Sequence, residues 1–360
     1  MDGRKTAKEK RRAIRSRWWR RPLEALFSDK VFDGQFQNPG TEQVFDFDDL
    51  VIVEPNPFDF IEKNVVYYPP GDEQALYTIF IPGLGKTEAT SSKRSRRYAA
   101  RLCTGIANLN NATYLKQNPI FKRINPFMDW IDAALHRLGL SGSPVIDNCA
   151  RLILEAIHRN QVINFSANSH GTILLGRGLR TAKKQFILSH TFFLNFKRRR
   201  YWEKRWEAIA HQFINVFAFG NCYRAWVRGP KYIMVSISGD HITSKIGIKP
   251  KHVKKSSRKN TQKRILKGAS HNIQFLIFES IFEPGEAEAH NIMYTIELLR
   301  QSFIKNNLQV GDFAALYQAL SQGTLKLVTA AEAKSKTFSW PKEMEAYSYS
   351  ATNSFLASRD

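Results

Sequence analysis

Along this chain, short runs of β-branched and aromatic residues alternate with stretches in which apolar positions recur at helical spacing. The runs Leu50–Val53, Asn64–Tyr68, Leu76–Ile81, Val162–Phe165, Phe213–Gly220, Tyr232–Ser238 and Ile273–Phe278 read as strands. Leu76–Ile81 is apolar almost throughout and empties into Pro82-Gly83-Leu84-Gly85, the pattern of a strand buried on both faces that ends in a glycine loop. Helical spacing marks Ser91–Asn110, Pro126–Leu140, Val145–Asn160, Thr172–Leu179, His290–Lys305 and Phe313–Leu320; Asn125 is the expected cap of the second. Strands interleaved with helices predict an α/β fold with a mostly parallel central sheet flanked by helices.

The division this implies is a basic N-terminal arm and lead-in over 1–48, one α/β domain over 49–308, and a C-terminal helix with a polar tail over 309–360. No Pro/Gly/Ser-rich linker splits the middle. The segment Lys197–Trp206 interleaves Arg and Lys with Tyr201, Trp202 and Trp206, and is read as an amphipathic helix with a solvated basic face rather than as a grip for phosphates and bases.

Chemistry concentrates where the Val162–Phe165 strand meets the helix beginning at Thr172. Between them stands Ala167-Asn168-Ser169-His170-Gly171, with a small residue two before and two after a serine. A serine on a tight strand-to-helix turn presents its hydroxyl out of the sheet, and bulk at those flanking positions would collide with the turn. Small-x-Ser-x-Gly is common by chance, so the strand before it and the helix after it carry the argument. An ordinary helix N-cap is the competing reading for Ser169.

A serine nucleophile needs a base and a carboxylate that orients the base. Asp240 follows directly on the Tyr232–Ser238 strand, where a sheet delivers a loop residue to its carboxyl edge; an Asx turn is the alternative. Among histidines, His241 adjoins Asp240 too closely for a productive contact. His271 precedes the Ile273–Phe278 strand and is placed at the opposite edge. His290 follows that strand and opens a helix at the edge shared with Ser169 and Asp240, so His290 is the expected base, His271 the fallback, and a first-turn surface role the alternative for His290. The tetrahedral oxyanion needs two backbone donors, expected from His170 and from the Gly83-Leu84 loop, chiefly Leu84.

The order Ile81-Pro82-Gly83-Leu84-Gly85, then Ala167-Asn168-Ser169-His170-Gly171, then Asp240 and His290 resembles the α/β-hydrolase superfamily of lipases and esterases. The resemblance runs from about Leu50 to Leu308. It implies a mostly parallel sheet flanked by helices and acyl transfer to water through a serine acyl-enzyme, with no cofactor or metal. The family more often has Gly where this chain has Ala167, and His where it has Asn168.

The net charge of +22 is unevenly placed. Residues 1–22 hold ten Lys/Arg against two acids, and residues 245–267, a basic insertion in the domain, hold ten Lys/Arg and no acid. The body is ordinary; the appendages invite an anionic surface. A small-molecule or lipid ester is the expected substrate and an anionic membrane surface the expected partner, which brings in peripheral membrane association. The rival reading is a non-catalytic module that uses its basic segments on nucleic acid or acidic partners.

Gly85-Lys86-Thr87 echoes the end of a phosphate-binding loop, but Phe80 stands where that motif needs glycine, which argues against nucleotide binding. Three scattered cysteines, Cys103, Cys149 and Cys222, form neither a disulfide framework nor a metal cluster by spacing. No apolar run reaches membrane-spanning length and the basic N-terminus lacks an apolar core segment. A cytoplasmic or membrane-peripheral protein is expected, with export lacking a cleaved signal also compatible.

Overall fold

The computed structural model describes residues 28–30, 33–37, 44–49, 51–53, 66–68, 78–84, 97–98, 101–102, 106–110, 114–116, 126–191, 196–248, 272–280 and 292–335. The strands are β1 (Ser28–Lys30), β2 (Phe36–Gln37), β3 (Val44–Phe45), β4 (Val51–Val53), β5 (Val66–Tyr68), β6 (Thr78–Ile81), β7 (Ile106–Leu109), β8 (Tyr114–Lys116), β9 (Ile163–Asn168), β10 (Ile214–Phe219), β11 (Lys231–Ile237) and β12 (Ile273–Phe278). The helices are α1 (Pro126–Leu138), α2 (Pro144–His158), α3 (His170–His190), α4 (Phe196–Phe213), α5 (His241–Ile246), α6 (Ile292–Lys305), α7 (Phe313–Gln322) and α8 (Ala330–Lys334).

Eight strands form the main sheet in the order β12-β11-β10-β9-β6-β7-β2-β3. From β12 to β7 all neighbours are parallel, and β2 and β3 close the far edge as antiparallel strands. The α/β arrangement with a mostly parallel sheet is therefore present.

Side chains alternate across this sheet with period two. Ile79 and Ile81, Val216 and Ala218, Tyr232 and Met234 enter a core shared with α2, α3 and α4, while Phe80, Phe217 and Phe219, Ile233 and Val235 enter a second core shared with Tyr98, Leu102, α6 and α7. Helices thus cover both faces, which is why β10 reads Ile-Asn-Val-Phe-Ala-Phe with every residue buried.

Several elements differ from the sequence reading. The long helix expected over Ser91–Asn110 does not run its length: helical residues occur at 97–98 and 101–102, and Ile106–Leu109 is β7, paired with Thr78–Phe80. The second edge of β6 needs hydrogen-bond partners, and that tertiary demand overrides local periodicity. Within the runs Leu50–Val53 and Asn64–Tyr68, Val51–Val53 and Val66–Tyr68 do form strands, but β4 and β5 pair with each other in a separate two-stranded ribbon. The antiparallel edge comes instead from β2 and β3, in the stretch read as lead-in, and the helix α7 from the stretch read as an appendage packs on β12.

The Lys197–Trp206 stretch lies within α4, with Trp206 fully buried and Arg198, Arg199 and Arg200 exposed, as an amphipathic helix requires. Ser143 caps α2 by accepting from the Val145 N–H, with Pro144 in the first turn. No helix among the described residues is long and apolar enough to cross a membrane. The loop Gly85-Lys86-Thr87, the expected base His290, the fallback His271 and the basic runs 1–22 and 249–267 lie outside the described residues.

Candidate active site

Among the parallel strands β6 to β12, the chain reverses its progress across the sheet once. After β6 it moves outward to β7, then returns through α1 and α2 to lay β9 against the other side of β6. At such a switch point, consecutive connections leave on opposite faces and open a crevice at the carboxyl ends of the two strands. Gly83 and Leu84 lie at the end of β6, and Ser169 at the end of β9.

Ser169 occupies φ 50, ψ −119, outside the regions open to a side chain without strain. It stands at the cap position of α3, yet its side chain makes no capping hydrogen bond. The competing N-cap reading therefore loses its mechanism. The backbone is held by the Ser169 N–H donating to the Phe219 carbonyl at 3.0 Å, and by the Ser169 carbonyl accepting from the Thr172 hydroxyl at 2.6 Å.

The small residues around the turn are set by contact. A Cβ on Gly171 would stand 2.3 Å from the Ile81 carbonyl oxygen and 2.8 Å from that of Pro82, so only glycine lets α3 start against the end of β6. A Cβ on Gly83 would lie 3.0 Å from the Ser169 Cβ. Gly83, Leu84, Ser169 and His170 are thus brought together, with Leu84 and Ser169 half-buried.

Asp240 follows β11, two strands from β9, and is 4 % exposed. Its carboxylate is occupied by the start of α5: Oδ1 accepts from the Ile242 and Thr243 N–H groups at 2.9 and 3.1 Å, and Oδ2 accepts from the Thr243 hydroxyl at 2.6 Å. The local role expected as the alternative, a turn-capping aspartate, is present. Asp240 also borders a cavity of about 180 Å³ lined by Asn221, Ser238, Thr243, Ile248 and Phe275.

The chain leaves β12 beside this loop. Ser238 N–H donates to the Phe278 carbonyl at 2.8 Å, and the Ser238 hydroxyl accepts from the Ser280 N–H at 2.8 Å. At the other end of β12, the Asn272 carbonyl accepts from Tyr232 N–H at the start of β11, so Asn272 lies at the amino edge of the sheet, away from Ser169.

Two further side chains pack around the serine turn, one against Ser169 and one against His170. Cys222, in the loop after β10, puts Sγ 3.8 Å from the Ser169 hydroxyl oxygen and donates to the Gly220 carbonyl at 3.2 Å. Its N–H donates to the Thr172 hydroxyl at 2.9 Å, which ties this loop to the turn. Burial pushes the Cys222 thiol up to about 12; the Ser169 hydrogen bond opposes that, the Asp240 charge adds to it and the Arg137 charge opposes it. A thiol in that state is a neutral neighbour, not a competing nucleophile.

The second is His136 of α1, fully buried, whose ring stacks on that of His170. Neither contact has a sequence signal, because each joins elements far apart in the chain. Among the described residues no group of three or more His, Cys, Asp or Glu is arranged to hold a metal ion.

Comparison with protein-family models, with curated proteins and with solved structures gave no match for this chain.

Proposed function

We propose that this chain has an α/β-hydrolase fold and is a serine hydrolase that cleaves a carboxylic ester through an acyl-enzyme. Ser169 is the nucleophile, His290 the general base and acid, and Asp240 the carboxylate that orients the imidazole. The N–H groups of Leu84 and His170 receive the oxyanion.

One observation carries this reading: Ser169 holds a strained positive φ at the tip of a strand-turn-helix while its side chain caps nothing. Such a conformation costs on the order of 1–3 kcal/mol and persists where a surrounding structure forces it, most often at functional sites. Further support comes from the switch-point crevice and from Asp240 at the same edge of the sheet. Strands two apart are separated by about 10 Å, a gap that an imidazole can bridge between a carboxylate and a hydroxyl. The acylation step then follows: the Ser169 oxygen bonds to the ester carbonyl carbon, its proton passes to the imidazole, and the protonated imidazole delivers it to the departing alkoxide. Water repeats the sequence on the acyl-enzyme and frees Ser169.

The basic segments 1–22 and 245–267 direct the substrate search toward an acyl lipid in an anionic membrane. Sedimentation with anionic and neutral vesicles tests that part, and equal binding to both removes it.

A fluorophosphonate probe tests the chemistry. The expected result is an adduct on Ser169 that is lost in Ser169→Ala and strongly slowed in His290→Ala. A folded protein that takes no label overturns the proposal.

A further inference from the structure

Arg137, in the last turn of α1, and Arg224, in the loop after β10, share one acceptor. Arg137 Nη2 donates to the Ile246 carbonyl at 3.1 Å and Arg224 Nε donates to the same oxygen at 2.9 Å. The two guanidinium groups are therefore held no farther apart than those two bonds permit. Arg224 is also fixed by the carbonyls of Gly247, at 2.9 Å, and Lys245. Neither arginine forms an ion pair with a carboxylate among the described residues.

Each arginine is a chain neighbour of a residue packed at the serine turn, and Arg137 lies near enough to Cys222 for their charges to interact. His136, one residue before Arg137, contacts the ring of His170, the residue after Ser169. Cys222, two residues before Arg224, lies against the Ser169 hydroxyl. The carbonyls that hold the arginines belong to the end of α5, the helix that Asp240 begins.

Two like charges, half-buried and held on a shared carbonyl with no carboxylate paired to either among the described residues, make a repulsive arrangement that an anion would relieve. Burial first, and then the Arg224 charge, draws the Arg137 guanidinium below its ordinary range, opposed by Cys222. Arg137 spends one of its five N–H donors on Ile246, so its remaining donors can meet oxygens. A planar fork of this kind matches phosphate and carboxylate oxygens in pairs.

We infer that Arg137 and Arg224 form an anion subsite beside Ser169 that takes a phosphate or carboxylate group carried by the ester. The substrate part of this inference rests on the hydrolase reading; the binding part does not. The lipid and soluble sources of such a group share this chemistry, and the test separates them.

Titration of the full chain with inorganic phosphate, followed by calorimetry, measures the subsite alone. Wild type is expected to bind phosphate, Arg137→Met to bind it about tenfold or more weakly, and Arg137→Lys to fall between, since lysine keeps the charge and loses the fork. Circular dichroism checks that both variants fold. Equal affinity in wild type and in folded Arg137→Met, or no binding in wild type, overturns the inference.

Hydrolysis of mono-p-nitrophenyl glutarate against p-nitrophenyl butyrate then measures selectivity. A ratio of kcat/KM that favours the anionic ester and drops about tenfold or more in Arg137→Met supports the substrate role, and an unchanged ratio overturns it. Arg137-dependent phosphate binding without turnover of either ester keeps the subsite and sinks the hydrolase reading. Displacement of phosphate by phosphatidylglycerol vesicles but not by soluble phosphate monoesters identifies a headgroup as the source, and the reverse identifies a soluble ester.

Discussion

The imidazole of His136 lies against that of His170, with Nδ1 3.2 Å from Nε2 and ring centroids 5.2 Å apart. The other nitrogen of His136 meets the Gly142 carbonyl at 3.3 Å, and Asp132 stands 3.7 Å from Nδ1. Which ring donates follows from the tautomers, and either assignment joins the two imidazoles in one buried contact. The residue that would supply an oxyanion N–H is thereby gripped by a neighbouring helix.

Replacing His136 with Ala removes a buried hydrogen-bond partner and leaves space beside His170. The expected cost is about 1–3 kcal/mol of stability, read from urea unfolding, together with a fall in kcat larger than any change in KM. Unaltered kcat in a folded His136→Ala protein would mean that the His170 backbone needs no such support.

Ser169→Gly separates strain from chemistry. Glycine adopts positive φ without a side-chain penalty, so this variant is expected to be more stable than wild type by about 1 kcal/mol while taking no fluorophosphonate label. A loss of stability instead would show that the Ser169 side chain contributes more in packing than its backbone loses in strain.

Asp240 holds two jobs in this reading, and two substitutions distinguish them. Asp240→Asn keeps an oxygen for the N–H groups of Ile242 and Thr243 but removes the charge. Stability should stay within about 1 kcal/mol of wild type while ester turnover falls by roughly a hundredfold or more. Asp240→Ala should lose both, with a capping cost of about 0.5–2 kcal/mol. If Asp240→Asn turns over like wild type, Asp240 is a cap and nothing more.

The Cys222 thiol fixes a pH dependence. Its folded value, pushed up to about 12 by burial, exceeds the ordinary value of 9.0, so between those two the folded state holds a proton that the unfolded chain has released. Stability from this group is therefore complete below pH 9 and is lost as pH rises toward 12. Chemical unfolding across that window should show a shallower decline in Cys222→Ala than in wild type, and identical slopes would count against the burial of this thiol.

The readable parts of the fold were those written in local patterns. The runs that became β10 and β11 are apolar on both faces because helices cover both, and Gly171 marks the turn because backbone atoms crowd it. Asp240 is legible as a loop residue at a strand end, and its capping bonds to Ile242 and Thr243 are equally a local pattern. What could not be read is set by pairing at a distance. Nothing in Val51–Val53 says that it joins Val66–Tyr68 rather than the main sheet, and nothing near Ile106 says that β6 lacks a neighbour. Cys222, His136 and Arg137 reach the serine site through packing between helices and loops, which no spacing along the chain encodes.

The position of β6 also governs the order in which the protein can be made. Its neighbour β9 begins at Ile163, and Thr78 has no partner on that side until Asn164 has been translated. A nascent chain leaving the ribosome carries an apolar, half-paired strand edge through that interval, the kind of exposed edge that chaperones guard and that delays completion of parallel sheets. Stalling synthesis before residue 163 should therefore yield ribosome-bound chains that bind chaperone and are cut readily by protease, and extension past Phe219 should release the one and suppress the other.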